Sequence, residues 1–505
     1  MKAPSRSRLP HQPLYCWPLL LVVSLLISSP QAVAQLRLES CELDGLETPA
    51  RCGHLSVALA PSESTSPRLD LKVIELPARA AEVRPEPIFY LVGGPGQAAT
   101  SGVGFFSDSL RGLQAHHRIV LLDLRGTGPG RPVDCGLTLA EKLDLLLGFT
   151  PSARLAECRA NAPIDPSHLT TRNAVRDLEE LRTGLGVERV HLLGISYGTR
   201  VAQVYAKLHP ERVATLTLRG STVLGDVALH RVAWGGERQI RRITERCAGS
   251  PSCSSKFPDF ADQLVSLSHD LAAEPLEISV PSGGSIELTP RHLEGLLRQT
   301  VYSPRGSASV PWLVDRLHQG DPPSRIFGSI ARQLEGLALE PMLSVFCAED
   351  FPWVSASPKT DPTFTRVHHH FEPVCTQWNV APDPEVLEIG PIAAPTLVLS
   401  GAEDPATPAD VAEQSAAYLS KVRHVVTPGL GHYPTWTSCF AGLAAAHING
   451  NTLDGLDTGC ASEDLSLPFQ VASPGERLRQ AGLATATLLA TLTGAVVYRR
   501  RQRRP

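Results

Sequence analysis

The chain is 505 residues long, 42% hydrophobic and 19% charged, with a formal net charge of −4. That length exceeds what one hydrophobic core fills, so a large domain carrying a substantial insertion, or two domains, is expected. The near balance of charge excludes the disordered and strongly basic classes, and with them nucleic acid as a partner.

Lys2, Arg6 and Arg8 precede an apolar run from Pro18 to Ile27, and Ala32-Val33-Ala34 supplies small residues before Gln35. This is the pattern of an export signal over 1–34, which places the mature chain in the periplasm or outside the cell. His54 to Leu59 and Leu69 to Leu76 alternate apolar and polar around a turn-rich stretch, as the strands of an opening hairpin do. Short, continuously apolar runs follow at Ile88 to Val92, Ile119 to Leu122, Val190 to Leu193 and Val213 to Leu218. Such runs predict strands buried on both faces of a parallel sheet.

Thr171 to Leu185 has helical spacing at Val175, Leu178, Leu181 and Leu185, and Tyr197 to Leu208 reads as a second helix ahead of His209-Pro210. From 225 to 390 the strand rhythm lapses into helical and irregular sequence, then resumes at Pro395 to Leu399 and Val422 to Val426. The predicted architecture is therefore an α/β core in two parts, 35–224 and 391–470, with a mainly helical cap inserted at 225–390 between late strands. After a linker at 471–480, the stretch Ala481 to Tyr498 is mostly apolar and runs into a basic end at 499–505. Its length and flanking arginines suit a membrane tether, and equally a terminal helix or a removable sorting tail. Nothing in the sequence specifies an oligomeric state.

Of 11 cysteines, Cys16 falls in the signal, and the other ten form consecutive neighbours: Cys41 and Cys52, Cys135 and Cys158, Cys247 and Cys253, Cys347 and Cys375, Cys439 and Cys460. An even set suits an oxidising compartment, and neighbour-to-neighbour bridges are the expected connectivity, which spacing alone does not prove. No CxxC pair is present, so no structural zinc is expected. The triplet His368-His369-His370 invites a metal reading, but adjacent side chains point in different directions, and it reads as a solvated loop.

Gly194-Ile195-Ser196-Tyr197-Gly198 fits a nucleophile elbow, a serine on a tight strand-to-helix turn relieved by small neighbours. The five-residue pattern is weak by itself; the buried apolar run before it and the helix after it supply the context. A hydroxyl is a poor nucleophile at neutral pH and needs a base held in one tautomer by an acid. Asp404 and His432 follow the two late strands, in the chain order serine, acid, histidine. Glu403 competes as the acid, with Asp404 preferred on loop register. Gly93-Gly94-Pro95-Gly96 follows an early strand, and the backbone amides of Gly94 and Tyr197 are assigned to an oxyanion hole. Arg125, in Asp123-Leu124-Arg125-Gly126, is expected to bond nearby carbonyls and shape the site from below.

Gly93 to Gly96, the Asp123 to Gly128 segment, the elbow, Asp404 and His432 together resemble the prolyl aminopeptidase and tripeptidyl aminopeptidase group of α/β-hydrolases. The resemblance implies the α/β-hydrolase fold with a helical cap, and release of one or a few residues from a peptide's free N-terminus. It departs at Val92, where many relatives have histidine. It also implies a carboxylate for the substrate ammonium, for which the cysteine-to-aspartate segment offers Glu349 and Asp350. No cofactor or metal is needed. Two other readings stand: an esterase or lipase on small acyl esters, since the triad serves both, and a non-catalytic binding protein on a hydrolase scaffold.

Overall fold

In the computed structural model, residues 35–472 are described, apart from 47, 64, 130, 281–283, 323, 357–361 and 451. The export signal read over 1–34, the apolar stretch 481–498 and the basic end all lie outside the described residues. Among the described residues no helix is long and apolar enough to cross a membrane.

Strands β1 (Gln35–Cys41), β2 (Ala50–Ala58) and β3 (Arg68–Leu76) form an antiparallel meander, of which the sequence pattern marked the second and third. The chain then lays down β4 (Ile88–Leu91), β5 (Ile119–Leu122), β6 (Val190–Ile195) and β7 (Val213–Arg219). After the cap insertion, with its own small pair β8 (Leu276–Ser279) and β9 (Ser285–Leu288), come β10 (Thr396–Gly401) and β11 (Val422–Thr427). The main sheet has nine strands in the order β1-β2-β3-β5-β4-β6-β7-β10-β11, parallel from β5 to β11.

Strands β4 and β6 are buried along their whole length because helices cover both faces, which is why their sequences are unbroken apolar runs. Successive residues still part to opposite sides. Phe89, Leu91 and Leu192 pack with Leu178, Leu181 and Val201 on one face. Ile88, Tyr90 and Leu193 pack with Phe106, Phe440 and Ile448 on the other. Strand order reverses at β4: the chain steps outward to β5 and returns to β6 on the far side. Open α/β sheets form their ligand crevice beyond the carboxyl ends of the strands at such a point.

The cap residues Ile243, Phe257, Leu296, Leu313 and Trp378 are buried together, in a cluster that also takes in Val133, Leu143, Leu155 and Leu169 from ahead of β6. Two expectations for the cap need correction. The irregular stretch includes the antiparallel pair β8–β9, which buries Ile278 opposite Ile286, with Leu288 beside them. His368 to His370 lie inside the helix Pro362–Trp378, not in a loop. All five neighbour-to-neighbour disulfides are closed: Cys41–Cys52, Cys135–Cys158, Cys247–Cys253, Cys347–Cys375 and Cys439–Cys460.

Candidate active site

Ser196 sits between β6 and the helix Tyr197–Leu208 with φ 53° and ψ −121°, a left-handed-side conformation that side-chain-bearing residues adopt only when their surroundings enforce it. Two close approaches do the enforcing. A Cβ on Gly194 would lie 2.7 Å from the Gly198 carbonyl oxygen, and one on Gly198 would lie 2.2 Å from that of Leu91. Only glycine permits the helix to start this tightly against β4 and β6. Gly94, at φ 108°, turns the chain after β4 toward the same place. Among the described residues neither the Gly94 nor the Tyr197 amide donates to a backbone carbonyl, as suits two oxyanion donors.

Asp404 follows β10 and His432 follows β11, and the imidazole Nδ1 lies 2.8 Å from Asp404 Oδ2. Asp404 is held by three more bonds: Oδ1 accepts from the amides of Ala406 (2.9 Å) and Thr407 (2.8 Å), and Oδ2 from Thr407 Oγ1 (2.8 Å). Burial alone would raise its pKa, but His432, Arg219 and the Thr407 amide overcome it and hold the carboxyl below the ordinary aspartate range. The competitor, Glu403, is occupied elsewhere by Arg246 (3.3 Å) and Gln239 (3.3 Å). Ser196 and His432 line one cavity of about 490 Å³ without a hydrogen bond between them; apo sites commonly hold such pairs apart until substrate is bound.

Asp123 and Arg125 are both structural. Asp123 accepts from the amide and hydroxyl of Thr100, each at 2.8 Å. Arg125 grips Asp177 through two nitrogens (2.7 and 2.6 Å) and donates to the carbonyls of Leu59 and His168.

Glu349 and Asp350 are not placed to take a substrate ammonium, and the expectation is corrected. Both are fully buried in a π turn, Phe346–Asp350, and neither lines the cavity. Glu349 accepts from the Thr171 amide (2.7 Å), the Thr171 hydroxyl (2.8 Å) and Arg200 Nη1 (3.1 Å). Asp350 accepts from Arg200 (2.7 and 3.0 Å) and the Ala228 amide (2.7 Å). Burial pushes the Glu349 carboxyl up to about 7 against the pull of Arg200 and Thr171. These bonds join the start of one core helix, the helix after Ser196 and the first cap helix, Ala228–Ala248.

The carboxylate that does reach the cavity is Glu294, on the cap helix Pro290–Thr300, which sequence reasoning passed over. It is the one acidic side chain among the described lining residues. Burial raises its pKa, and Arg298 and Arg291 oppose the rise. Nothing in the local sequence distinguishes it from other helix-surface glutamates. Beyond it opens a second trough of about 810 Å³, which shares Ala233, Glu294, Arg298 and His370 with the first. Ligand atoms of His368, His369 and Glu372 lie within 4.8 Å of one another. Tetrahedral zinc holds its ligand atoms only about 3.3 Å apart, and two of the three residues are exposed, so this cluster is not a prepared cation site.

Against known proteins, the family model described as alpha/beta hydrolase fold matches residues 86–250, and that described as TAP-like protein matches 361–460. A probable proline iminopeptidase of Streptomyces coelicolor is 35% identical over 136 residues, 27% of this chain and 32% of that protein. A tripeptidyl aminopeptidase of the same organism is 27% identical over 202 residues, 36% of this chain and 37% of that protein. The chain thus spans about a third of the length of these curated relatives. The solved proline iminopeptidase of Mycobacterium smegmatis is 17% identical with a TM-score of 0.39, covering 76% of this chain and 95% of that one.

Proposed function

We propose that this chain, an α/β-hydrolase by fold and similar to proline iminopeptidases and tripeptidyl aminopeptidases, is an exported serine aminopeptidase. The observation that carries the reading is the 2.8 Å bond from His432 Nδ1 to Asp404, in the wall of a cavity that also holds Ser196 on its elbow. That bond leaves the other ring nitrogen free to accept a proton. His432 takes the Ser196 proton as the hydroxyl attacks the scissile carbonyl, and the amides of Gly94 and Tyr197 receive the negative charge on its oxygen. The imidazolium returns the proton to the leaving amine, and water activated by the same histidine releases the acyl group from the serine. The closed disulfides are in keeping with an oxidising compartment outside the cytoplasm.

Glu294, which Arg366 approaches at 3.6 Å, is the ammonium partner for a free N-terminus, the substrate cation taking the place of that loose contact. The test is turnover of chromogenic aminoacyl and tripeptidyl substrates with free and acetylated N-termini. Free-amine substrates are cleaved, acetylated ones are not, and Ser196→Ala abolishes both turnover and fluorophosphonate labelling. Glu294→Gln raises KM for free-amine substrates about 10- to 100-fold, the worth of one charged hydrogen bond, while labelling persists. Equal cleavage of free and acetylated substrates would remove the aminopeptidase reading. The apolar cavity walls, among them Leu229, Leu334, Phe346 and Phe371, favour a second reading as an esterase on small acyl esters. That reading predicts ester turnover insensitive to Glu294→Gln.

A further inference from the structure

Arg219, the last residue of β7, is 1% exposed. A guanidinium buried so deeply is costly unless its donors are taken up, and one loop takes them up. Nη2 donates to the carbonyl oxygens of Gly431 (3.1 Å), His432 (3.0 Å) and Pro434 (3.4 Å), and Nε to that of Thr435 (2.8 Å). Its Cζ lies 5.2 Å from the centre of the Phe440 ring, which braces the group from one side. The remaining nitrogen, Nη1, has no hydrogen-bond partner and lies 3.8 Å from Asp404 Oδ2, the oxygen that faces His432. Meanwhile the Arg219 carbonyl accepts from the Ser196 amide at 3.0 Å. One residue therefore touches the nucleophile through its backbone, the histidine loop through its donors and the acid through its charge.

We propose that Arg219 is the positioning residue of the triad: it latches the 431–435 loop so that His432 keeps its register, and its charge opposes uptake of a further proton by the His432–Asp404 pair. The proposal rests on Ser196, Asp404 and His432 acting as set out above. The other groups around the pair do not supply that charge. The rings of Tyr302 and Tyr433 lie 5.3 and 5.4 Å from the His432 ring, and burial pushes both phenols up, so they stay neutral. Arg231 is turned to Asp226 and the Ala406 carbonyl. Glu403 is bound to Arg246 and Gln239. Apart from His432, Arg219 is the one cation within ion-pair range of Asp404 among the described residues. Burial weighs against the Arg219 charge and Asp404 offsets part of that cost, so the two support one another.

The test compares the full chain with Arg219→Met and Arg219→Lys by kcat and KM across pH and by hydrogen exchange of the amides in 429–436. Arg219→Met is expected to lower kcat about a hundredfold, as a misplacement of about 1 Å does, with KM changed less than about threefold. Its acid limb of kcat/KM moves up by about one pH unit, because without the cation a proton binds more readily. Exchange in the loop quickens. Arg219→Lys keeps the charge but reaches fewer carbonyls, so it restores the acid limb and recovers only part of kcat. Wild-type turnover, acid limb and exchange in a folded Arg219→Met protein would overturn the proposal. If that variant does not fold, undiminished kcat in Arg219→Lys overturns it. A wild type that neither turns over peptides nor takes a fluorophosphonate counts against the triad reading instead, and the exchange comparison then decides the latch.

Discussion

Asp404 is fully buried, yet four donors besides Arg219 converge on its two oxygens and keep it ionised. Since its pKa is depressed on folding, its stabilising contribution is complete above the unfolded value of about 4 and is lost as pH falls through the folded value. Asp404→Asn therefore melts below wild type at neutral pH, and the gap between the two melting curves narrows as pH falls below about 4. The same variant offers His432 the wrong partner and is expected to cost about three to four orders of magnitude in kcat. Activity lost on acidification between pH 5 and 7 has another origin than this carboxylate. That Asp404 meets His432, and that Ser196 lines the same cavity, was legible because chain order and strand ends restrict the candidates. Arg219 left a signal too, an arginine ending an otherwise apolar run at Val213 to Leu218, and a charge there demands a partner. Glu294 left none, since its place on the cavity wall depends on where a cap helix is set down.

At the level of elements, the elbow works because a strand, a turn and a helix meet with no spare volume. Gly198→Ala would put a methyl 2.2 Å from the Leu91 carbonyl oxygen and 2.7 Å from that of Val92, both backbone atoms fixed by the sheet. A loss of about 3 kcal/mol or more is expected, visible as reduced soluble yield and an earlier denaturant midpoint. Strands β4 to β7 could be read from sequence because helices on both faces require unbroken apolar runs, whereas helix Thr171–Gly184 declared itself by period. The elements that escaped are those with mixed signals. β1 is an edge strand of alternating polar residues, only partly buried. β8 and β9 have four residues each, too few for a period to establish itself. Helix Pro362–Trp378 contains Pro373 and a run of histidines, both of which argue for a break.

Across the whole molecule, the core and the cap belong to one compact unit, and the Cys347–Cys375 bridge ties the π turn to a cap helix that reaches the cavity. Its 28-residue separation corresponds to about 3–4 kcal/mol of lost freedom in the unfolded chain. The Cys347→Ser/Cys375→Ser double variant should melt earlier than wild type without reductant, and the two should converge when dithiothreitol is present. The insertion as a whole was visible as a lapse in strand rhythm, but its internal packing depends on contacts between distant segments that no local pattern records.

The Arg200 cluster has a mechanical meaning. Glu349 and Asp350 bolt the first cap helix to the very helix that Ser196 begins, so the cap is not a hinged lid that can swing away while the nucleophile stays still. The second trough meets the cavity at Ala233, Glu294, Arg298 and His370, on the cap side of this joint. Roof and elbow thus share one set of bonds, four residues along the helix from Ser196.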